Sequence, residues 1–510
     1  MTAFITRRVL VSIFILLGAS FIMYILTTLA GDPLEDLRTA GGANTEILMA
    51  QRTSALMLDV PAPLRFFLWL GGAAKCLIPF GSSCDLGVNI AGQEVTELLS
   101  RAMGSTIQLV VVAVILAIII GVTTGIASAL RQHTPFDNGI TFTSFLLYAL
   151  PSFWVAILLK QFFALGYNDF LRDPVIPPLW IAVIAVISGF IWQALIAGSR
   201  RRRLTVFGGS AIASALVLAY MSLTSWFVRP GLGPVIIALG SIGIGLMIVG
   251  LTAGLRNRAA MLTSGIVVAI TMVCYFSLQG LLDISSDATI GILAIITVAV
   301  GLAVGLLMRG PDMRLYMRIG ALTAVLSSGL ILVDRLMRSW PVYTSEVGGR
   351  PIATIGSETP GLNGDIWVHG VDSFTHLLLP TLTLMLISFA SYTRYSRSGM
   401  LDVLNQDYVR TARAKGLPER VVILRHAFRN SLIPIVTLIA SDFGTILGGS
   451  IIVEQVFSFS GMGALFQAGI NSVDPNPVMG YFVVIAVMTI VFNFLADISY
   501  SALDPRVRIR

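Results

Sequence analysis

The chain has 510 residues, of which 55% are hydrophobic and only 12% charged, and its formal net charge is +7. Apolar side chains at this density, arranged in long runs, exclude an ordinary water-soluble domain and a disordered chain. They predict an all-α, polytopic transmembrane bundle, because each crossing of the hydrocarbon core takes about 20 apolar residues in a helix.

Twelve apolar stretches have the length of a membrane-spanning helix. The first, near residues 9–30, follows a basic N-terminal segment and exceeds the apolar core of a cleavable secretion signal, so we expect it to be retained rather than cleaved after Ala30. The other eleven lie near 105–130, 140–166, 176–197, 204–228, 233–254, 260–281, 288–308, 317–337, 373–393, 431–452 and 479–500.

Positive charge between the spans predicts their orientation, because cytoplasmic loops retain more Lys and Arg than outer loops. If the N-terminus is cytoplasmic, the inner segments contain 23 of these residues and the outer segments contain 9. We therefore expect both termini in the cytoplasm. This asymmetry accounts for the net charge of +7, so we expect no nucleic-acid partner.

The longest predicted outer segment, residues 31–104, contains two of the three cysteines. Cys76 and Cys84 lie eight residues apart, and outside the cytoplasm they could form a disulfide. Spacing alone does not establish pairing, so two free thiols fit equally well. The four histidines are scattered along the chain, and we expect no metal site.

Two ionisable residues lie deep within predicted spans, where an uncompensated charge is costly. Asp442, in the sequence IASDFGTILGGS, could line a translocation path, or it could form hydrogen bonds within the helix bundle. Lys160 is the other path candidate, although its long stem could carry the ammonium group to the membrane interface instead.

The longest predicted cytoplasmic loop, residues 394–430, contains the sequence QDYVRTARAKGLPERVV. No helix breaker occurs from Asn405 to Lys415, and Gly416 followed by Pro418 is typical of one helix ending and the next beginning. We therefore predict two short, strongly basic helices joined by a bend. Such a protrusion could lie on anionic lipid headgroups, but the small alanine side chains of the TARAKG segment favour close contact with a partner protein.

Four segments of the sequence match a known pattern. They are RRVLVSIFILLGASFIMYILTTLAGDP near the N-terminus, DYVRTARAKGL in the basic loop, VEQVFSFSGMGALFQAGI, and NFLADISYSALDPRVRIR at the C-terminus. Together they resemble the B-type inner-membrane subunit of the dipeptide and oligopeptide permease family of ABC importers. The general importer loop motif begins Glu-Ala-Ala; here Arg410, Thr411 and Ala412 stand at those positions, which fits the peptide branch better.

The resemblance covers two blocks, residues 1–170 and 373–510, and implies a six-span core, like that of type I ABC importers, interrupted by six inserted spans. The implied parts are 1–170 (spans 1–3 with the outer loop 31–104), an inserted transmembrane module at 171–372 (with the outer loop 338–372), and 373–510 (with the loop 394–430). In the insert, Gly250-x-x-x-Gly254 and Gly301-x-x-x-Gly305 predict close helix packing.

The family also implies a function and partners. The chain would be the permease subunit of an importer in a prokaryotic inner membrane, moving short peptides or related small solutes into the cytoplasm by alternating access. A second homologous permease subunit, two cytoplasmic ATPases and an extracytoplasmic substrate-binding protein would complete it. This chain contains no G-x-x-x-x-G-K-[ST] segment, so ATP and Mg²⁺ would bind to the ATPases and this chain would not be an enzyme. A gradient-driven secondary transporter using Lys160 and Asp442 is the alternative.

The resemblance finally implies roles for particular residues. The loop 394–430, which we call the coupling loop, would dock in a groove of the ATPase and transmit its movement to the spans. The candidate docking residues are Asp407, Tyr408, Arg410, Thr411, Ala412, Arg413, Ala414, Lys415, Gly416 and Arg420. On the outer side, Phe457, Phe459, Gly461 and Gly463 would lie near the mouth of the pathway, where the binding protein docks. The two phenylalanines suit interfacial aromatic anchors equally well.

Overall fold

A computed structural model describes residues 2–42, 44–76, 84–196, 198–308 and 312–503, so the C-terminal end of the predicted cytoplasmic tail lies outside the described residues. Within these ranges the regular elements are helices, and one isolated antiparallel bridge joins Val88 to Glu94. The helices are α1 (Thr2–Leu29), α2 (Glu35–Ala40), α3 (Thr45–Ala55), α4 (Ala62–Lys75), α5 (Val95–Leu130), α6 (Pro135–Ala149), α7 (Ser152–Leu159), α8 (Gly166–Phe170), α9 (Pro178–Leu195), α10 (Arg200–Leu223), α11 (Gly233–Thr252), α12 (Arg258–Ser277), α13 (Gln279–Asp283), α14 (Asp287–Leu307), α15 (Met313–Glu346), α16 (Ile366–Leu404), α17 (Asp407–Ala414), α18 (Glu419–Val421), α19 (Phe428–Val456), α20 (Met462–Asn471) and α21 (Pro475–Leu503). Two π-helical segments, Lys160–Leu165 and Val422–Ala427, link α7 to α8 and α18 to α19.

The all-α membrane architecture is confirmed. Among the described residues, nine helices are long and apolar enough to cross a membrane, and ten if a bent pair counts as one span. The predicted count was twelve. The difference comes from α1, whose described apolar part, Ile13–Leu29, is short, and from the predicted span 431–452, which lies in α19 where several side chains fall outside the described set.

The predicted single span at 140–166 is wrong as a straight helix. The chain instead forms two helical pieces, Pro135–Ala149 and Ser152–Phe170, which meet at an angle of 105°. The break falls at Leu150, which has extended backbone angles, and at Pro151, which follows it. Proline disfavours helical geometry in the residue before it and cannot donate a backbone hydrogen bond. The result is a broken span or a re-entrant loop.

One compact unit, which we call the core unit, comprises residues 1–163, 354–357 and 377–510. Its main buried cluster joins α1, α4, α5, α20 and α21 through side chains such as Tyr24, Phe66 and Met479. Helix α5 approaches α16 closely because Gly121 and Gly125 have no side chains. A Cβ atom at Gly121 would lie 2.9 Å from the Cβ of Tyr392, and one at Gly125 would lie 2.5 Å from the carbonyl oxygen of Thr393. Helix backbones in membranes commonly meet in this way.

The second compact unit, which we call the inserted module, comprises residues 164–353 and 358–376. Helices α11, α12, α14 and α15 pack against one another, and α9 pairs with α10. The close packing predicted at Gly301 and Gly305 is confirmed: a Cβ at either position would lie within 2.6 Å of the α15 backbone. The same prediction is wrong for Gly254, where a Cβ would meet open space. The sequence-based boundaries at 171 and 373 stay a prediction.

Candidate functional site

The coupling loop contains the helix and bend expected from its sequence. Helix α17 spans Asp407–Ala414 and is followed by Gly416, whose φ of +74° lies in the left-handed region. The amide of Gly416 donates to the carbonyl of Arg413, and the amide of Leu417 donates to the carbonyl of Ala412. Glycine takes this conformation without a Cβ penalty, so Gly416 fixes the direction in which the chain leaves α17.

The second predicted helix differs from expectation. Helix α18 spans only Glu419–Val421, and the π-helical segment Val422–Ala427 joins it directly to α19. On the other side, only Asn405 and Gln406 separate α17 from α16. A displacement of the coupling loop would therefore pass into two long helices with little slack.

The apolar face of α17 packs on its own chain. Val409, Ala412 and Val422 form a small buried cluster, with Val403 and Leu404 packed against it. The expectation that Ala412 admits a partner's surface is therefore wrong, because its small side chain fills a position inside the loop. Ala414 is exposed and remains open to a partner.

An ion pair closes the loop across its bend. The guanidinium of Arg413 donates to the carboxylate of Glu419, with its Nη2 lying 2.7 Å from Oε1. This contact raises the pKa of Arg413 and lowers the pKa of Glu419. The side chain of Asn430, on α19, donates to the hydroxyl of Tyr408 over 3.0 Å. These two contacts hold α17 against the start of the following helices.

The outward surface of the coupling loop is basic, with apolar side chains among the charges. The exposed candidates from the sequence are Asp407, Tyr408, Arg410, Thr411, Arg413, Ala414, Lys415, Gly416 and Arg420. Leu417 and Leu424 are also exposed, at 38% and 53%. A partner with an acidic, partly apolar groove would complement this surface.

A bidentate ion pair, missed in the sequence, involves a residue of α16 ten positions before α17 begins. Arg397 of α16 donates from Nε and Nη2 to the two carboxylate oxygens of Asp137, over 2.7 and 3.0 Å. Asp137 also accepts from the hydroxyl of Ser128 and the amide of His133. Fork-to-fork geometry of this kind is strong and directional. It ties the last part of α16 to the turn between α5 and α6.

The two intramembrane candidates have different partners. The Asp442 side chain is half-buried and lies beside the hydroxyl of Tyr392. Lys160 donates from Nζ to the carbonyl oxygen of Val456 over 2.9 Å and lies 5.9 Å from the centre of the Phe457 ring. A cation at a helix C-terminus is favoured by the exposed carbonyls and the helix dipole. Lys160 thus holds the end of α19.

The outer candidates surround a buried glutamate that sequence reasoning passed over. Glu454 is fully buried and accepts hydrogen bonds from the hydroxyls of Thr106 and Ser450 and from the amides of Gly463 and Ala464. The last two belong to the first turn of α20, where unpaired amides and the dipole favour an anion. The motif VEQVF contains this residue, but the sequence did not show that α20 would turn back over it.

The glycines of this motif leave room for the packing around Glu454, and its phenylalanines are buried. A Cβ at Gly461 would lie 2.5 Å from the Glu454 carboxyl group, and one at Gly463 would lie 2.6 Å from the Cα of Ile451. Phe457 and Phe459 are each only 2% exposed. At this burial neither ring can serve as an interfacial anchor or contact a binding protein directly. We call this arrangement, from Ser450 to Ala464 with Thr106, the Glu454 knot.

The outer segment, residues 31–104, is hydrogen-bonded to the start of α21. The carboxylate of Asp474 accepts from the amide of Ile90 over 2.7 Å, and the side-chain amide of Asn476 donates to the carbonyl of Val88 over 2.7 Å. Burial raises the pKa of Asp474 to about 6, against the opposing effect of the hydrogen bonds that the backbone amides of Ile90 and Asn476 donate to it. Earlier in the same outer segment, Cys76 and Cys84 form a disulfide.

Comparison with known proteins gives one family and several relatives. The family model described as "Binding-protein-dependent transport system inner membrane component" matches residues 247–509, beginning within α11. The oligopeptide transport system permease protein OppB of Mycobacterium tuberculosis is 39% identical over 182 residues, covering 36% of this chain and 54% of that protein. The oligopeptide transport system permease protein AppB of Bacillus subtilis is 45% identical over 136 residues, covering 27% of this chain and 43% of that protein. The glutathione transport system permease protein GsiC of Escherichia coli is 40% identical over 141 residues, covering 28% of this chain and 46% of that protein. The chain spans about half the length of these curated relatives.

Proposed function

Because the chain belongs to the family of binding-protein-dependent transport system inner membrane components, we propose that it is the permease subunit of an ATP-driven importer for short peptides or related small solutes. The names of its relatives support this substrate class, since they are oligopeptide and glutathione permeases. They also favour the importer over a gradient-driven secondary transporter.

The coupling loop is the observation that carries the proposal. It combines an exposed basic surface with a bend fixed by Gly416 and a direct helical continuation into α19. The Arg413–Glu419 ion pair braces the bend. A surface lipid anchor has no need for such stiffness, whereas a mechanical connection to a moving partner requires it. Two cytoplasmic ATPases would bind ATP and Mg²⁺ and hydrolyse ATP, and this chain would convert their movement into rearrangement of its spans.

The remaining partners are proposed from the family, whose description names binding-protein-dependent transport. A second, homologous permease subunit would form the pathway together with this chain, and an extracytoplasmic binding protein would deliver the substrate. Both termini would lie in the cytoplasm, which places the coupling loop on the ATPase side. Asp442 is the candidate path residue. Lys160 has a structural role in this proposal, because its ammonium group is already hydrogen-bonded to a helix end.

Isolation of the intact complex tests this function. The tagged chain is extracted from membranes in mild detergent, and co-purifying proteins are identified by mass spectrometry. We expect a Walker-motif ATPase and a second permease, and ATP hydrolysis that accelerates when the binding protein and a peptide are added. Recovery of the chain alone, under conditions that preserve other importers, would contradict the proposal and return attention to a gradient-driven mechanism.

A further inference from the structure

A small polar pocket lies in the inserted module, where α10 ends and α11 begins, beside the later part of α15. It has a volume of about 300 Å³ and is lined by residues from the end of α10, the turn that follows, the start of α11 and the later part of α15. The polar side chains of its wall are Tyr220, Thr224, Arg229, Asp334 and Arg338. The proposed transport function uses none of them.

The pocket is built on a rigid frame. Asp334 is almost fully buried, and its Oδ1 accepts from the amides of Leu232 and Gly233 over 2.8 and 3.0 Å. Its Oδ2 accepts from the hydroxyl of Tyr275 and forms an ion pair with Arg338 at 2.9 Å. The carboxylate therefore accepts from the amides at the start of α11, and each of its two oxygens already has two partners. It fixes the floor of the pocket and has no capacity left for a ligand cation.

Arg338 is held in place from the same side. Its guanidinium donates to the Tyr275 hydroxyl over 2.5 Å and to the side-chain oxygen of Gln279 over 3.3 Å. The indole of Trp226 donates to the carbonyl of Gly231 over 2.9 Å, which pins the turn that carries Arg229. The floor of the pocket and the turn that carries Arg229 are thus positioned before any ligand arrives, which reduces the ordering cost of binding.

The charge of the pocket is positive. Asp334 and Arg338 neutralise each other, whereas the guanidinium of Arg229 has no hydrogen bond or ion pair with any residue that the structure describes. Arg229 and Tyr220 both line the pocket, and guanidinium groups recognise the oxygens of a phosphate group through paired donors. We propose that this pocket binds a phosphate group, with Arg229 as its principal contact.

The position of the pocket favours a phospholipid as the source of that phosphate. It lies where two candidate spans, α10 and α11, end and begin. The side chains next to it on α10, Tyr220 and Leu223, are exposed by 62% and 87%. Tryptophan, tyrosine and arginine at the end of an apolar helix are typical of the headgroup region of a bilayer. A lipid bound there would place its acyl chains along the exposed face of α10.

Binding measurements on the purified, delipidated full-length chain test the proposal and distinguish the two sources. Dihexanoyl-phosphatidylglycerol and inorganic phosphate are titrated separately by calorimetry in a non-phosphate detergent. The test variant is Arg229→Gln. The matched control is Arg256→Gln, an exposed arginine just beyond the opposite end of α11. We expect about fivefold weaker phosphatidylglycerol binding in Arg229→Gln, the scale of one basic residue at a membrane surface, and no change in Arg256→Gln.

The outcomes separate cleanly. Phosphatidylglycerol binding that depends on Arg229, with no binding of inorganic phosphate, supports the lipid as ligand. Binding of inorganic phosphate that depends on Arg229 supports the site with a soluble phosphate source. Equal affinities of wild type and Arg229→Gln for both probes would overturn the proposal. Unchanged thermal unfolding of both variants, measured alongside, shows that any loss of binding does not come from loss of folding.

Discussion

The two ends of α19 are built in opposite ways. At its start, the chain forms the coupling loop, where nine of the ten residues assigned to partner contact are exposed. At its far end lies the Glu454 knot, where a carboxylate is fully buried and hydrogen bonded to four donors. One end is open to a partner, and the other is tied to α5 and α20. If the proposed coupling to the ATPases holds, α19 would work as a lever with a free end at the coupling loop and a fixed end at the Glu454 knot.

Both ends depend on glycine, but for different physical reasons. Gly416 is needed for its backbone angle, since φ is +74° and a Cβ there would meet open space. Gly461 and Gly463 have no unusual φ and are needed for room, since a Cβ at either would collide with Glu454 or Ile451. Substitutions at the two ends should therefore fail in different ways.

The largest effect is expected at the fixed end. Glu454→Ala leaves Thr106 and the amides of Gly463 and Ala464 without their acceptor in a buried site, at about 1–3 kcal/mol for each unsatisfied group. We expect a large fall in the melting temperature in detergent and a low yield of monodisperse protein. The exposed Glu46→Ala is the control, with a wild-type melting temperature. If Glu454→Ala melts like Glu46→Ala, the Glu454 knot is not a structural anchor.

At the free end, Gly416→Val should abolish transport without unfolding the chain. A β-branched residue at positive φ is strained, by roughly 1–2 kcal/mol or more, and relieving the strain would change the direction of the loop. We expect normal membrane insertion and melting but no peptide uptake in reconstituted complexes. Gly416→Asn is the matched control, because asparagine tolerates left-handed geometry, and it should retain most uptake. Equal uptake by both variants would show that the bend is not needed for coupling.

The sequence predicted the free end better than the fixed end. The helix, the glycine and the proline of the coupling loop follow from local rules, so α17 and the bend at Gly416 could be read directly. Glu454 could not, because its donors include Thr106, 348 residues earlier in the chain. The same holds for Asp137 and Arg397, which lie 260 residues apart. The break at Leu150 and Pro151 has a local signal in the proline itself, but the apolar run continues past it and favoured a single span.

A third prediction concerns the outer fastening at Asp474, beside the fixed end. The folded-state pKa of about 6 exceeds the ordinary value of 3.8, so the folded chain binds more protons than the unfolded chain between these values. The contribution of this group to stability therefore falls as the pH rises through that interval, by roughly 3 kcal/mol in total, and stays unfavourable above it.

Asp474→Asn keeps an acceptor for the Ile90 amide and removes the charge. We expect its melting temperature, relative to wild type, to rise between about pH 4 and pH 6 and to level off above that interval. Asp36→Asn is the control, because the hydrogen bond from Arg52 lowers the pKa of Asp36, so its melting temperature relative to wild type should stay nearly constant above about pH 4. A constant difference between Asp474→Asn and wild type across this range would show that Asp474 does not titrate as proposed.

The smallest effect is expected at the ion pair that braces the bend. Arg413 and Glu419 are both well exposed, and exposed pairs contribute only about 0.2–1 kcal/mol. If Arg413 acts by bracing the loop, Glu419→Ala should reduce the uptake rate as much as Arg413→Ala, and the double variant should be no slower than either. Arg410→Ala changes a cation on the same helix without breaking this pair, so its effect should add to that of Glu419→Ala. Additive losses for Arg413 and Glu419 would instead mean that each contacts the partner separately, and the stiffness of the free end would then rest on Gly416 and the internal packing of Ala412.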